Sequence, residues 1–202
     1  MSGDKLFWNK LANIYNKMFE NKKAYQKIYS LIRESVNKEM KVLEVGTATG
    51  MIARAISPKV KEVFAIDFSD KMIVKAKEIT KEKNIFFSIQ DSSNLQFKDS
   101  SFDLVIIANV LHIIKDPEKI LGEIKRVLKS DGILIAPTFM WKELNLLGKI
   151  QKFVMVRRGF PIYSQWNREE YISFLEKNGL ICIKKESINW SFNICYVECK
   201  KR

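Results

Sequence analysis

The sequence has few of the residues that build metal sites and disulfides. It contains one histidine, His112, and three cysteines among 202 residues. The cysteines form no C-x-x-C pair, and structural zinc sites need four closely spaced Cys or His ligands. We therefore expect no metal site, and we expect the thiols to be reduced and buried on strands. These cysteines are Cys182, Cys195 and Cys199.

Long apolar runs are also absent. No segment approaches the roughly 18 apolar residues of a membrane span, and residues 1–5 lack the apolar core of a signal peptide. These absences predict a cytoplasmic protein with no membrane span. With 202 residues and 47% apolar content, the chain is long enough for one α/β domain with a substantial core and too short for two ordinary domains.

Acidic residues are in deficit, and the deficit is uneven along the chain. The net charge is +12. Residues 1–40 carry eight basic and four acidic side chains, residues 41–138 carry 15 and 13, and residues 139–202 carry 12 and six. A basic rim can attract nucleic acid, anionic lipid or an acidic small molecule, and a lysine-rich surface can also serve only for solubility. Charge alone does not choose among these partners.

Residues 42–50 predict a buried strand that ends in a tight turn and continues into a helix. Gly46 permits the turn, and Gly50 lets the following helix pack close to the sheet. We expect the turn to direct free backbone N–H groups toward a ligand. A dinucleotide fingerprint would need glycine at its first, third and sixth positions, where the chain has Gly46, Ala48 and Met51.

This segment resembles the first motif of class I S-adenosylmethionine-dependent methyltransferases, in which an acidic residue precedes glycines on the strand-to-helix turn. Glu44, Gly46 and Gly50 match the motif, whereas Ala48 stands where a middle glycine is commoner. The resemblance extends from about residue 41 to residue 137 and implies S-adenosyl-L-methionine as the cofactor. It also implies cofactor contacts from Glu44, Gly46, Thr47 and Gly50.

A second acidic residue ends the next predicted strand. Asp67 lies 21 positions beyond Gly46, and a carboxylate at this strand end can accept hydrogen bonds from both ribose hydroxyls of an adenosine. Phe68 and Met72 follow on the turn and the next helix, where they could flank the adenine ring. Packing of Met72 in the core is an equal alternative.

The ends of the third and fourth predicted strands complete the expected cofactor site. Asp91 occupies the place where the family has an acidic residue that receives the adenine amino group, and Ser92 would offer its backbone N–H to a ring nitrogen. Asn109 ends the fourth strand and is expected to contact the cofactor. No Asn/Asp-Pro-Pro-aromatic tetrapeptide and no Pro-Cys pair follows, so the resemblance favours small-molecule acceptors over nucleic-acid bases.

Four residues are candidates for the acceptor side of the site. His112 has an unperturbed pKa near 6.5 that suits a general base, although a histidine here can simply pack. Tyr15 lies in an A-x-x-Y pattern within N-terminal helices that, in quinone C-methylating relatives, close over cofactor and acceptor. Trp141 lies in a predicted amphipathic helix that ends before Arg157. The apolar side of this insertion and its paired arginines would contribute to the acceptor pocket. A helix that only completes the core, or that binds a membrane surface, stays open.

Together these features predict an α/β fold: a single doubly wound, Rossmann-like domain with a mostly parallel seven-stranded sheet and an antiparallel last strand. We divide it into N-terminal cap helices (1–40), a cofactor-binding core (41–138), a helical lid insertion after strand 5 (139–166), and a last helix with a strand hairpin (167–202).

The expected function is transfer of a methyl group from S-adenosyl-L-methionine to a small, largely apolar acceptor by in-line displacement. Two alternatives stay open. One is an RNA methyltransferase that uses the basic flanks, and the other is a non-catalytic member that only binds the cofactor. The sequence does not identify the acceptor or the oligomeric state.

Overall fold

The computed structural model describes residues 3–189 and 191–202. In chain order the elements are α1 (Gly3–Leu11), α2 (Tyr15–Phe19), α3 (Lys23–Glu34), β1 (Lys41–Val45), α4 (Met51–Ile56), β2 (Glu62–Asp67), α5 (Asp70–Ile79), β3 (Ile85–Ile89), β4 (Phe102–Ile107), α6 (Pro117–Val127), β5 (Leu128–Ile135), β6 (Thr138–Phe139), α7 (Leu146–Arg157), α8 (Arg168–Lys177), β7 (Leu180–Ile188) and β8 (Ile194–Lys201). Short 3-10 turns occupy Ser57–Lys59 and Leu111–Ile113.

All described strands belong to one sheet. Strands β3, β2, β1, β4 and β5 lie side by side and parallel in that order, and β8 pairs antiparallel with β5, β6 and β7. The predicted fold class is confirmed. The predicted count of seven strands was wrong. The described residues form eight strands, because Thr138–Phe139 pairs with β8 directly after the turn that ends β5.

The core lies on both faces of this sheet. Helices α3 and α4 pack on one face, and α6 and α8 pack on the other. Strand β4 lies between them and is apolar from Leu104 to Ile107, with all four side chains buried. A parallel strand that is covered on both sides has this composition because no side chain reaches water.

Two predicted element boundaries were wrong. Apolar residues recur every three to four positions from Phe7 to Met18, which predicts one helix, but residues 12–14 interrupt it and separate α1 from α2. The sequence Ser-Asp-Gly at 130–132 predicts a turn, but these residues are part of β5, which begins at Leu128 and pairs with β4 through a register shift. Local composition indicates such turns, but pairing with a neighbouring strand overrides it.

Helix α7 differs most from the sequence prediction. Trp141 and Leu144 precede the helix and are buried, so they are not part of its apolar face. Six apolar residues within the helix are exposed to solvent, whereas Met155 packs partly against the core. Gly148 lies on the inward side, where a Cβ would stand 3.1 Å from the Ser191 carbonyl oxygen. This close approach fixes which side of α7 meets the protein.

The described residues contain neither a helix long and apolar enough to cross a bilayer nor a group of three His, Cys, Asp or Glu side chains that could hold a metal ion.

Candidate cofactor site

A cavity of about 450 Å³ opens at the carboxyl ends of β1 to β4. The register sets Val45 opposite Ile66 and Ile107, so the residues that follow these strands meet at one edge of the sheet. In a doubly wound sheet, ligands bind at this edge, near the point where the strand order reverses. Eight residues predicted from the sequence line the cavity: Tyr15, Gly46, Asp67, Phe68, Met72, Asp91, Ser92 and Asn109.

The loop after β1 has a backbone that favours glycine. Gly46 has φ +72°, and a Cβ there would lie 2.4 Å from Cγ2 of Val110. Gly50 has φ +77°, and its Cβ would lie 2.7 Å from the Phe87 ring. Ala48 adopts φ +49° although it carries a side chain, which costs roughly 1–2 kcal/mol. The loop therefore passes very close to the sheet and to the residue after Asn109.

The N–H groups of this loop are used within the protein. Those of Gly46 and Thr47 donate to the Ile66 carbonyl, both at 2.9 Å, and that of Ala48 donates to Oδ2 of Asp67 at 2.9 Å. Gly50 donates to the Thr47 carbonyl. The expectation of free N–H groups aimed at a ligand is wrong for these four residues, because the loop wraps around the end of β2.

Glu44 anchors this loop through hydrogen bonds to its carboxylate. Its Oε2 accepts hydrogen bonds from Thr47 Oγ1 at 2.6 Å and from the Ala53 N–H at 3.0 Å. Burial raises the pKa of the Glu44 carboxyl to about 7. Glu44, Thr47 and Gly50 do not reach the cavity wall, since Glu44 lies within β1 and not at its tip. Their predicted contacts with the cofactor are therefore not supported by the geometry.

Asp67 is the last residue of β2, and its carboxylate is buried at the cavity. Its Oδ1 accepts the Ser69 N–H and its Oδ2 accepts the Ala48 N–H, each at 2.9 Å. Burial raises the pKa of Asp67 to about 6. Each carboxylate oxygen has about two acceptor positions, so both retain capacity for a further donor. The carboxylate is thus held in one orientation and can still bind a ligand.

Asp91 and Ser92 lie beyond β3 on the same cavity. Oδ1 of Asp91 accepts the Ser93 N–H at 2.8 Å and fixes the turn, while the side chain stays exposed. Phe68 is partly exposed at the cavity, and Met72 is buried beneath it. Together they form a slot with an acidic edge.

Asn109 carries an unsatisfied polar atom at the cavity. Its backbone has φ +56° and its N–H donates to the Pro137 carbonyl. Nδ2 lies 3.4 Å from the Tyr25 hydroxyl, whereas Oδ1 is buried and has no hydrogen-bond partner among the described residues. An unpaired buried carbonyl oxygen costs about 1–3 kcal/mol. A ligand that donates a hydrogen bond here would remove that cost.

Comparison with known proteins agrees with this geometry. Residues 43–136 match a family model described as a methyltransferase domain. A demethylmenaquinone methyltransferase of Staphylococcus aureus is 34% identical over 178 residues, covering 81% of this chain and 69% of the relative. The chain belongs to the S-adenosylmethionine-dependent methyltransferases. S-adenosyl-L-methionine is the cofactor that this membership implies.

Other relatives agree but are longer than this methyltransferase. A malonyl-[acyl-carrier protein] O-methyltransferase of Bacillus anthracis is 30% identical over 136 residues, covering 65% of this chain and 48% of the relative. The chain spans 38–58% of the length of the first curated relatives it matches. A chain from the Haloferax volcanii complex of the Trm112 methyltransferase activator with a methyltransferase shares the fold, with TM-score 0.82, 19% identity, and 98% and 97% coverage of the two chains.

The only histidine of this methyltransferase lies away from the cavity. His112 is fully buried, its Nδ1 lies 2.8 Å from Thr138 Oγ1, and its ring contacts Phe139 and Trp141 at centroid distances of 5.4 Å. Burial lowers the pKa of His112 to about 3. The geometry does not support the predicted role as a general base, because the ring turns into this aromatic cluster and not toward the cavity.

The predicted acceptor residues are separated as well. Tyr15 lines the cavity, and burial together with nearby Tyr25 and Asp67 raises the pKa of its hydroxyl well above 10. Trp141 is buried beside His112, and Arg157 is exposed on α7, where its guanidinium lies 5.2 Å from the Phe153 ring. Trp141 and Arg157 do not reach the cavity wall. Of the four acceptor-side candidates, only Tyr15 therefore lies at the cavity.

Other cavity residues were missed. Gln90, Ile113, Ile114 and Lys119 line the cavity. Each lies close in sequence to a strand end that was identified, and proximity to Asp91 or Asn109 was the only available signal. Asn9 had no such signal: its Nδ2 lies 3.1 Å from Oδ1 of Asp70 and its Oδ1 accepts the Ser69 hydroxyl at 2.6 Å. It fastens α1 over the site.

The burial of His112 gives a testable effect on stability. Its folded pKa, about 3, lies below the unfolded value near 6.5, so the unfolded chain binds an extra proton as the pH falls. This residue should therefore reduce the free energy of unfolding by about 2 kcal/mol between pH 7.5 and pH 5. We expect the free energy of unfolding of His112→Gln, measured by urea denaturation, to fall by about 2 kcal/mol less than that of the wild type over the same pH range. Equal losses in both proteins would show that the ring accepts a proton in the fold.

Proposed function

We propose that this methyltransferase binds S-adenosyl-L-methionine in the cavity and methylates a small, largely apolar acceptor. The observation that carries the proposal is that Asp67, Asp91 and Asn109, which follow three strands of one parallel sheet, all line a single cavity. The three residues offer acceptors for three different parts of an adenosyl compound. A site for adenosine alone would need only Asp67 and Asp91.

The ribose is assigned to Asp67. Its two oxygens are oriented by Ala48 and Ser69, and each can accept one hydroxyl. A hydrogen bond to a charged acceptor contributes about 1.5–3 kcal/mol. The raised pKa of about 6 still leaves the carboxyl mostly ionised at neutral pH.

The adenine is assigned to the slot formed by Phe68, Met72, Asp91 and Ser92. The aromatic ring of Phe68 and the polarisable thioether of Met72 line this slot and would pack against the adenine ring. The free oxygen of Asp91 can accept the exocyclic amino group, because only Oδ1 is engaged by Ser93. The backbone of Ser92 is next to it on the turn.

The amino-acid portion is assigned to the neighbourhood of Asn109. An ammonium group that donates to Oδ1 would satisfy the buried oxygen that has no partner among the residues described. Gly46 lines the same cavity as Asn109, so its backbone would lie beside this part of the cofactor.

The acceptor is assigned to the apolar part of the cavity wall. Trp8, Tyr15, Val110 and Ile113 line it, and the raised pKa of Tyr15 keeps its hydroxyl protonated. When bound, the cofactor supplies an electrophilic methyl group on a sulfonium sulfur. The chain contributes alignment and exclusion of water, so an acceptor that is already nucleophilic is favoured: a thiolate, phenolate, neutral amine or carbanion. The demethylmenaquinone named by the Staphylococcus aureus relative supports an apolar acceptor.

Two measurements test this function. Isothermal titration with S-adenosylhomocysteine should show one site, and methyl-labelled S-adenosylmethionine should then label an acceptor in a panel of thiols, phenols, amines and quinones. Failure to bind S-adenosylhomocysteine would overturn the proposal. Tight binding without labelling of any acceptor would instead favour the non-catalytic alternative.

RNA belongs in the same panel because of the basic flanks. Labelling of RNA, with a binding constant that falls steeply as salt rises, would favour the nucleic-acid alternative. A cytoplasmic location is part of our proposal, since free cysteines such as the three in this chain are typical of reducing compartments.

A further inference from the structure

Helix α7 presents an apolar face to solvent. Leu146, Leu147 and Phe153 are 76%, 60% and 61% exposed. With the helical repeat of 3.6 residues per turn, these positions share one side of the helix. The exposed apolar residues of this helix, here called the α7 face, are Leu146, Leu147, Ile150, Phe153, Val154 and Val156.

The inward side of α7 is the more polar one. The side-chain Oε1 of Gln151 is buried on this side and has no hydrogen-bond partner in the described part of the chain. Lys152 lies 5.9 Å from the centre of the Trp141 ring, and burial lowers the pKa of its ammonium group. A surface helix normally buries its apolar stripe. Packing against this domain explains Met155 but not the residues of the α7 face, which an apolar environment outside the chain would explain.

The charge around the α7 face has one sign. Residues 144–168 contain no aspartate or glutamate. Lys149, Arg157 and Arg158 are exposed on or next to the helix, and the whole chain has a net charge of +12. A second copy would bring like charges together, which opposes self-association. An anionic surface with an apolar interior complements both the charge and the exposed side chains.

We propose that α7 docks this protein on an anionic lipid surface. The α7 face would enter the boundary between headgroups and acyl chains, and Lys149, Arg157 and Arg158 would contact lipid phosphates. This inference goes beyond the methyl transfer proposed above and does not depend on it.

Docking would also bring the cavity near the lipid. Phe160 follows α7 and packs on Phe7 and Trp8 at centroid distances of 5.9 and 5.8 Å. Trp8 lines the cavity. The chain that follows α7 therefore contacts the wall of the cavity through Phe160, so a lipid surface bound by α7 would lie close to the site.

Sedimentation with vesicles tests the proposal. The protein should bind vesicles of equal parts phosphatidylglycerol and phosphatidylcholine and should bind pure phosphatidylcholine about tenfold more weakly or not at all. Ile150→Ser/Phe153→Ser should weaken binding to the anionic vesicles about tenfold or more, and Lys149→Glu/Arg157→Glu should do the same. Both variants change exposed side chains and should retain the melting temperature and the S-adenosylhomocysteine affinity of the wild type.

Matched controls lie on β7 and α8. Ile181 and Ile183 are 46% and 50% exposed, and Ile181→Ser/Ile183→Ser should bind vesicles like the wild type. Lys177→Glu should have a smaller effect than the double charge reversal. Absence of wild-type binding to anionic vesicles, or equal losses in the β7 and α7 variants, would overturn the proposal. So would a wild-type dimer that Ile150→Ser/Phe153→Ser converts to a monomer, since a second copy would then cover the α7 face. Binding of a protein partner by that face without any affinity for vesicles would also overturn it.

Discussion

Replacing Asp67 with alanine is expected to weaken the binding of S-adenosylhomocysteine about 100-fold or more. The carboxylate offers one acceptor position to each ribose hydroxyl, and two charge-assisted hydrogen bonds contribute about 3–6 kcal/mol together. The substitution also releases the N–H groups of Ala48 and Ser69, so the loop after β1 and the turn after β2 each lose an anchor. Isothermal titration gives the affinity, and thermal melting reports how far the loop anchors contribute to stability.

A control for this substitution is available on the same strand. Glu62 begins β2, at the end remote from the cavity, and pairs with Lys41 at 3.3 Å on the surface. Glu62→Gln should leave the affinity within about twofold, because exposed ion pairs contribute little. An Asp67→Ala protein that melts normally and binds as tightly as Glu62→Gln would contradict the assignment of the ribose to Asp67.

Replacing Gly46 with alanine should damage both stability and binding. The backbone at φ +72° costs an alanine roughly 1–2 kcal/mol, and its Cβ would overlap Val110 Cγ2, which lies 2.4 Å from that position. We expect a loss of about 2–4 kcal/mol in the free energy of unfolding, measured by urea denaturation. Affinity for S-adenosylhomocysteine should fall as well, since relief of the overlap displaces the loop or Val110.

Shortening Val110, the side chain that the new Cβ would overlap, tests this explanation. Val110→Ala alone should be destabilising, but Gly46→Ala/Val110→Ala should be more stable than Gly46→Ala, so that the double-mutant cycle shows a favourable coupling. Gly122 on α6 provides the matched glycine, because a Cβ there would meet no atom within 4 Å. Gly122→Ala should be neutral or stabilising by up to about 1 kcal/mol. Equal stability of Gly46→Ala and Gly122→Ala would show that the loop tolerates a side chain.

The parallel core was predictable from the sequence because each signal was local. Strand β4 is apolar from Leu104 to Ile107, Asp67 comes directly after an apolar run, and Asp91 lies two residues beyond the end of β3. Parallel strands end at one edge of a sheet, so the order of these residues along the chain was enough to bring them together. The same logic failed for Glu44, which lies one residue inside β1, where the side chain points beneath the loop.

The lid insertion shows why periodicity has a limit. A spacing of three to four residues indicates that a helix has two faces, but it does not say which face meets the protein. In α7 the absence of a side chain at Gly148 decides this, since it permits the approach to the Ser191 carbonyl. His112 failed for a related reason: its position after β4 was correct, and the direction of its ring depends on the aromatic side chains of a distant segment.

The contacts that fasten the N-terminal helices bear on the timing of a catalytic cycle. Asn9 ties α1 to Ser69 and Asp70, and Asn16 of α2 receives the Thr49 hydroxyl. Such polar contacts exchange readily with water, whereas the apolar packing of Trp8 must separate as a unit. An adenosyl compound bound in the cavity would lie beside these helices, because Trp8 and Tyr15 line its wall. We therefore expect the opening of α1 and α2 to contribute to the residence time of the product, together with the strand-end contacts that bind it.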